Sequence, residues 1–177
     1  MKTRELYNII DAFCPKTLSC SWDNDGIMVS PSLDNEVKRV LLSLDATYEA
    51  VSYAADYGYD TLITHHPMLF RGAKSVNETT LSGRRIIRAL SSGVTVMSFH
   101  TRLDACEGGV NDALMKRLGF VTTGAFGDEE SPTLARFADI PPMTARELAC
   151  LVRDKLGCTA VRLNGKADAV VRKIGVC

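Results

Sequence analysis

Three histidines and one aspartate are the residues whose types and spacing point most directly to chemistry. His65 and His66 are adjacent, and they follow a short apolar strand predicted over 61–64. His100 follows another apolar segment, and Asp104 comes four residues after it. Neutral imidazole is the commonest metal ligand among protein side chains, and a carboxylate has two oxygens that can bridge two cations. The pattern therefore predicts part of a metal site.

Each of these residues also has a purely structural interpretation. Adjacent strand residues point to opposite faces, so His65 and His66 could be one buried and one exposed side chain. Asp104 could instead cap the helix that follows it. The charge of Arg102 could neutralise nearby carboxylates or hold a phosphate, or its side chain could be solvated surface. Arg71 and Lys74 have the same alternatives, and for them a surface position is favoured.

A β-α-β-α-β pattern places these residues in the fold. Apolar strands are predicted over 36–44, 61–64 and 94–99, with helices between them that begin near Thr47 and at Thr80 or Ser82. The first strand is apolar through VLLSL, as a strand covered on both faces should be. The alternation predicts a parallel sheet with right-handed crossovers, in which ligands bind at the carboxyl ends of the strands. The residues at or just beyond those ends are Asp45, His65, His66, His100 and Asp104.

The remainder of the chain predicts a second, smaller segment. Residues 3–13 read as an amphipathic helix, the polar residues 23–26 as a turn before a short strand, and 110–118 as a helix. Residues 120–132 are interpreted as a loop, and the predicted order after it is strand (134–140), helix (145–156), strand (159–165) and strand (169–177). The predicted fold class is α/β, a largely parallel sheet with flanking helices followed by a β-α-β-β segment. We place a metal-site domain at 1–125 and the smaller segment at 133–177.

Composition narrows the class of protein. The formal net charge is zero, which argues against a strongly basic nucleic-acid surface. There is no run of roughly 20 apolar residues and no secretory signal, so we expect a cytoplasmic protein without a membrane partner. The six cysteines contain no CxxC pair and are expected to be reduced and mostly buried. Glycine-rich phosphate loops and the GxSxG nucleophile motif are absent.

Four motifs carry a family resemblance. SWDNDGIMV, LLSLDAT, LITHHPMLF and SFHTRLDACEGGVNDAL, in this order and spacing, resemble the NIF-three-like dinuclear-metal-centre hexameric family. Its members are often named GTP cyclohydrolase I type 2 homologues. The resemblance covers the whole chain, and the four motifs together are highly specific.

The resemblance implies an α/β fold and a toroidal homohexamer with two divalent metal ions per subunit. It implies that His65 and His66 bind different metals, that Asp104 bridges them, and that His100 and Asp45 lie beside the site as neighbours of the ligands. Imidazole and carboxylate ligands accommodate Zn, Fe, Mn or Ni, so the metal is not identified. Neither the motifs nor the resemblance identifies a catalytic residue.

Two departures from the family pattern affect these expectations. The family often has Asn at the position of Arg102. Its members also continue into a late HxxxE motif that supplies one His and one Glu to the metals, and this chain has no HxxxE and no fourth histidine. We therefore expect a fragment or a truncated product. Two histidines and one aspartate are fewer than the usual ligands of two ions.

The expected function is a dinuclear-metal, hydrolase-like protein that acts on GTP or another phosphate-bearing small molecule through a metal-activated water. The alternative is a non-catalytic metal-binding or regulatory oligomer. A third possibility is that the short chain is inactive and only a longer product functions. The expected partners are further copies of the chain and a small-molecule substrate, and no nucleic acid is expected.

Overall fold

The computed structural model describes all 177 residues, which form two compact units, residues 1–103 and 104–177. The fold is mixed α/β, with a mostly parallel sheet and flanking helices in the first unit and a small antiparallel sheet in the second. The predicted fold class is confirmed at this level. The domain bounds 1–125 and 133–177 stay a prediction. None of the helices combines the length and apolar character that crossing a bilayer requires.

The first unit is built on a four-stranded sheet. Its elements are α1 (Thr3–Phe13), a 3₁₀ turn (Lys16–Leu18), β1 (Gly26–Val29), β2 (Val40–Ser43), α2 (Tyr48–Asp56), β3 (Thr61–Thr64), α3 (Leu81–Ser91) and β4 (Thr95–Ser98). The strand order is β1-β4-β3-β2. Strands β2, β3 and β4 are parallel, as the β-α-β-α-β pattern predicts, and β1 is antiparallel to β4.

Threonine caps determine where the two crossover helices begin. The Thr47 hydroxyl accepts the Ala50 backbone N–H at 3.1 Å, and the Thr80 hydroxyl accepts that of Gly83 at 3.0 Å. Each bond satisfies one of the amides that a helix start leaves without an intrahelical partner. Of the two predicted starts of α3, the structure has Thr80.

The core of the first unit lies between the sheet and the two crossover helices. Leu62 and Val96 from the central strands pack with Val51 of α2 and with Ile86 and Ala89 of α3. All five side chains are buried. Burial of this apolar surface stabilises the central strands. The residues that directly follow those strands are therefore held in fixed positions.

Strand β2 differs from its prediction. The regular strand is shorter than 36–44, and it lies at the edge of the sheet. Leu42 and Leu44 are 73% and 61% exposed, so the expectation of cover on both faces is wrong. An apolar run alone does not distinguish a central strand from an edge strand, because the difference depends on which neighbours pair with it.

The second unit contains three antiparallel strands in the order β5-β6-β7. Helix α4 (Thr101–Ala105) crosses the boundary, and the elements after it are α5 (Val110–Leu118), β5 (Gly124–Phe126), β6 (Ala135–Thr144), α6 (Ala145–Leu156) and β7 (Val170–Val176). Met115, Ala138, Ile140 and Ile174 form its core. The predicted capping box of α6 is confirmed, since Thr144 and Glu147 bond each other's backbone N–H.

Two predictions for the second unit are wrong. The segment 159–165 is not a strand, and the predicted loop 120–132 contains β5, so the order is β-β-α-β. The alternating pattern of 159–165 suits a strand, but β5 and β7 already occupy both edges of β6. The segment also pairs with neither outer edge of the sheet, those of β5 and β7, so it stays outside the ladder.

The six cysteines are all free thiols. Cys14, Cys20 and Cys106 are buried, whereas Cys150, Cys158 and Cys177 are exposed, so the expectation that most are buried is wrong. Burial raises the pKa of the Cys106 thiol, which keeps it protonated and weakly nucleophilic.

Candidate metal centre

The three histidines meet where β3 and β4 end. His65 and His66 follow β3 directly, and His100 comes two residues after β4. The parallel register pairs Thr64 with Ser98, so the two strand ends are level. One ring nitrogen of each histidine lies within 4.8 Å of one from each of the others. The sheet register thus produces the cluster.

A turn that two buried hydroxyl groups hold allows two adjacent histidines to share this cluster. The Thr64 hydroxyl donates to the His66 carbonyl at 2.8 Å, and the Ser98 hydroxyl approaches the same carbonyl at 3.3 Å. Both hydroxyl side chains are buried. The backbone therefore leaves the strand geometry at His66, and the His65 and His66 rings lie with their centroids 5.0 Å apart. The opposite-face alternative for this pair is excluded.

Each imidazole is oriented by an oxygen acceptor at Nδ1. Because a carbonyl or carboxylate oxygen accepts, Nδ1 carries the proton and the lone pair is on Nε2. This is the tautomer in which metal-binding histidines are commonly held. The acceptors are the Phe99 carbonyl for His65 (3.2 Å), the Asp45 carboxylate for His66 (2.8 Å) and the Asp23 carboxylate for His100 (3.0 Å).

Asp23 is a site residue that the sequence analysis missed. Its carboxylate accepts both the Thr101 hydroxyl at 2.6 Å and the Thr101 backbone N–H at 3.1 Å, in addition to the His100 ring. Burial alone would raise the pKa of Asp23, but these hydrogen bonds hold it below its ordinary value. Asp23 is therefore an anion beside His100. Its position in WDND, just before a predicted strand, is the available signal, but the sequence pattern alone predicts only a turn there.

Asp25 and Arg102 form a buried ion pair beneath His100. Arg102 Nε lies 3.0 Å from Asp25 Oδ2, and its Nη1 lies 2.6 Å from Asp11 Oδ1. The same Asp25 oxygen accepts the His100 backbone N–H at 3.2 Å. Burial alone would lower the pKa of Arg102, but the Tyr7 hydroxyl and Asp25 raise it. The surface alternative for Arg102 is wrong, because its side chain is fully buried.

Two exposed aromatic side chains flank the cluster. Trp22 is 58% exposed and Phe70 is 48% exposed, and their ring centroids lie 6.3 Å and 6.5 Å from that of His100. The Asn24 side chain donates to the Leu69 carbonyl and so joins the loop of Trp22 to the loop of Phe70. The site consequently has an apolar wall that faces solvent.

The structure brings together most of the predicted site residues. His65, His66 and His100 form the cluster, and Asp45 contacts it through His66. Asp104 lies in α4, which begins directly after His100, and it is the first residue of the second unit. Its role as a ligand stays a prediction. Three imidazoles with neighbouring carboxylates suit a borderline divalent ion such as Zn, Fe, Mn or Ni.

Comparison with known proteins matches this arrangement to a family. The profile of Duf34/NIF3 (NGG1p interacting factor 3) matches residues 1–177. The chain belongs to the Duf34/NIF3 family. A Clostridium perfringens relative named GTP cyclohydrolase 1 type 2 homolog is 34% identical over 182 residues, which cover 99% of this chain and 68% of the relative. A Streptomyces coelicolor relative of the same name is 34% identical over 97% of this chain and 63% of its own length.

A solved Duf34/NIF3-like fold supports the architecture. The crystal structure of a Staphylococcus aureus hypothetical protein superimposes with a TM-score of 0.89 at 25% identity, over 99% of this chain and 71% of that chain. The NIF3 resemblance predicted from the motifs is thus confirmed. The chain spans about two thirds of the length of these relatives. The activity of a complete relative is therefore a proposal for this chain.

Proposed function

We propose that His65, His66 and His100 bind divalent metal, and that the protein is hydrolase-like and acts on a nucleotide or another phosphate-bearing small molecule. The observation that carries the proposal is that all three imidazoles have Nδ1 held by an oxygen acceptor. A histidine with a merely structural role has no need to share this orientation with two neighbours. Preorganised imidazoles lose little freedom when they bind an ion.

Each residue near the cluster has a definable task in this proposal. A bound divalent ion lowers the pKa of a coordinated water and polarises a phosphoryl or carbonyl oxygen. Asp45 and Asp23 hold their imidazoles in position and increase the basicity of the coordinating nitrogens. Trp22 and Phe70 offer faces on which a planar heteroaromatic ring can stack. We propose that a purine base stacks on this surface, and the name of the relatives, GTP cyclohydrolase 1 type 2 homolog, supports GTP as the ligand.

Three further properties are proposed from the family resemblance. Asp104 would bridge two ions, with His65 and His66 on different ions. The chain would assemble as a homohexamer, and it would work in the cytoplasm, where the free cysteines stay reduced. His100 is proposed here as a ligand, whereas the resemblance alone places it beside the ligands.

Metal content tests the site directly. The purified chain is loaded with Zn²⁺ or Mn²⁺, desalted and measured by elemental analysis, together with His65→Ala, His100→Ala and Asp104→Ala. We expect each histidine variant to lose at least half of the bound metal. Asp34→Ala is the matched control, because its carboxylate is exposed and pairs only with Lys2 and Arg4.

The outcomes separate the parts of the proposal. Unchanged metal content in both histidine variants would show that the cluster is not the site. Loss in the histidine variants but not in Asp104→Ala would retain the site and reject the bridging aspartate. Loss in the control as well would indicate nonspecific surface binding, which contradicts the proposal.

A second candidate is a metal-binding or regulatory protein without turnover. The description of the family as an interacting factor favours it, because that description names a binding role and no reaction. Metal-dependent turnover of GTP, or of any member of a phosphoester panel, would exclude this candidate. Metal binding without turnover of any of them would support it over the hydrolase.

A further inference from the structure

A cavity of about 440 Å³ in the first unit lies outside the histidine site. It is formed by the loop that follows His66, from Pro67 to Ala73, and by the beginning of α3. Its charged lining residues are Arg71 and Arg85, and no carboxylate lines it. The volume lies within the range of about 300–1,000 Å³ that is usual for small-molecule sites.

Arg85 is held at this cavity with part of its hydrogen-bonding capacity unused. Its Nη1 donates to the Ala46 carbonyl at 2.9 Å, which fixes the side chain. Its Nε is buried and has no hydrogen-bond partner. A buried donor without a partner is unfavourable, so Arg85 has hydrogen-bonding capacity that its protein contacts leave unused. Guanidinium groups bind the oxygens of phosphates particularly well.

The beginning of α3 adds to the positive character of the cavity. Ser82, in the first turn of this 11-residue helix, lines the cavity together with Arg85. The backbone dipoles of a helix favour anions at its N-terminus. Two arginines and a helix N-terminus thus converge on one space.

Phe70 connects this cavity to the histidines. Its side chain lines the cavity, and its ring centroid lies 6.5 Å from that of His100. The Phe70 side chain therefore borders both the cavity and the histidine cluster. A ligand with a phosphate group at one end and a planar ring could contact the cavity through its phosphate and the histidine cluster through its ring.

We propose that the cavity lined by Arg71, Ser82 and Arg85 is a phosphate-binding subsite for the ligand of the histidine centre. This inference rests on the proposed function, because that function defines the ligand of the histidine centre. The cavity itself should nevertheless bind phosphate when no metal is present. The phosphate that this subsite binds belongs to a small molecule, and pyrophosphate is the probe that represents it.

Isothermal titration of the full chain with pyrophosphate, after removal of metal with a chelator, tests the subsite. We expect saturable binding that is weakened about tenfold or more in Arg85→Gln and in Arg71→Gln, since each removes a charge-assisted contact. Arg71 is exposed, so its variant should fold normally even if Arg85→Gln does not. Arg84→Gln is the matched control, because its guanidinium lies over the Tyr48 ring, 5.9 Å from its centroid, and does not line the cavity.

Two results would overturn the subsite. One is no saturable binding by the metal-free chain, and the other is equal weakening in Arg84→Gln and Arg71→Gln, which indicates general charge attraction. His65→Ala separates the two proposals. If that variant keeps its metal content but wild-type pyrophosphate binding requires the arginines, the metal centre fails and the subsite stands. If it loses metal and the arginines have no effect on binding, the subsite alone fails.

Discussion

At the scale of single residues, the proposed metal centre depends on the oxygens that accept from Nδ1 of each imidazole. His100 is held by a carboxylate 77 positions away in the chain, and His66 by one 21 positions away. A ligand whose ring is held in one orientation binds an ion with less loss of rotational freedom. We therefore expect the carboxylates to contribute to metal affinity without contacting an ion.

Asp23→Asn tests this contribution. The amide has no negative charge and only one oxygen. If that oxygen faces His100, the NH₂ group faces the Thr101 donors, and if it faces Thr101, the NH₂ group faces His100. We expect metal affinity to fall about 10–100-fold, measured by competition with a chromogenic chelator. Asp34→Asn, an exposed aspartate in the same unit, should bind metal as the wild type does. Equal affinity in the two variants would contradict the role of Asp23.

Arg102→Met tests the buried ion pair beneath His100. The variant removes the guanidinium from buried Asp25, which keeps its ion pair with Lys16, so we expect a cost of up to about 3–5 kcal/mol, the range for buried pairs that lose one partner. We expect the midpoint of urea unfolding to fall accordingly. Arg4→Met, which removes an exposed ion pair with Asp34, should leave the midpoint nearly unchanged. A midpoint for Arg102→Met within error of the wild type would show that the pair is not required.

At the scale of elements, the position of a strand within its sheet depends on which strands pair with it. Strand β2 has the apolar sequence of a central strand but lies at the edge, with Leu42 and Leu44 exposed. Strand β6 has both edges occupied, and its partner register shifts between Asp139 and Met143, where two prolines cannot donate to the ladder.

In the second unit, Asp112 joins the start of α5 to β6. Its carboxylate accepts from Arg136 Nε at 3.1 Å and from the Thr122 hydroxyl at 2.7 Å. Burial alone would raise the pKa of Asp112, but the hydrogen bonds from Thr122, Gly108 and Arg136 hold it below its ordinary value. A carboxyl whose pKa is lowered by folding stabilises the folded state above its unfolded pKa, and the contribution disappears as pH falls through the folded pKa.

Asp112→Asn should therefore lower the thermal midpoint by a constant amount between pH 7 and pH 5. The difference from the wild type should shrink below about pH 4, where the unfolded carboxyl becomes protonated. Asp168→Asn, an exposed aspartate in the same unit, serves as the control and should show no such difference. A gap between wild type and Asp112→Asn that is the same at pH 3 and pH 7 would contradict the charge-dependent role.

At the scale of the whole molecule, the mass of the particle in solution tests the proposed assembly. The family resemblance predicts a homohexamer, and two exposed leucines, Leu42 in β2 and Leu44 directly after it, are apolar surface that an assembly could bury. Light scattering should give a mass of about six times the 19.3 kDa chain. A stable monomer at micromolar concentration would contradict the hexamer for this chain, while leaving the histidine site open to the metal assay.

The sequence by itself determined the features that depend on neighbouring residues. The starts of α2, α3 and α6 were predictable because a threonine side chain caps amides three residues away. The apolar strands and the crossovers between them predicted that His65, His66 and His100 would meet at one sheet edge. The four motifs were sufficient to indicate the NIF3 family.

Only the tertiary structure decided the features that depend on distant partners. Asp23 contacts His100, and Arg102 is buried between Asp25 and Asp11, through contacts between residues 77 or 91 positions apart. No local pattern encodes such pairs, because a turn sequence has the same appearance whether its carboxylates face water or an imidazole. The turn at His66 was undecidable for the same reason, since the Ser98 hydroxyl that helps to hold its carbonyl comes from the neighbouring strand.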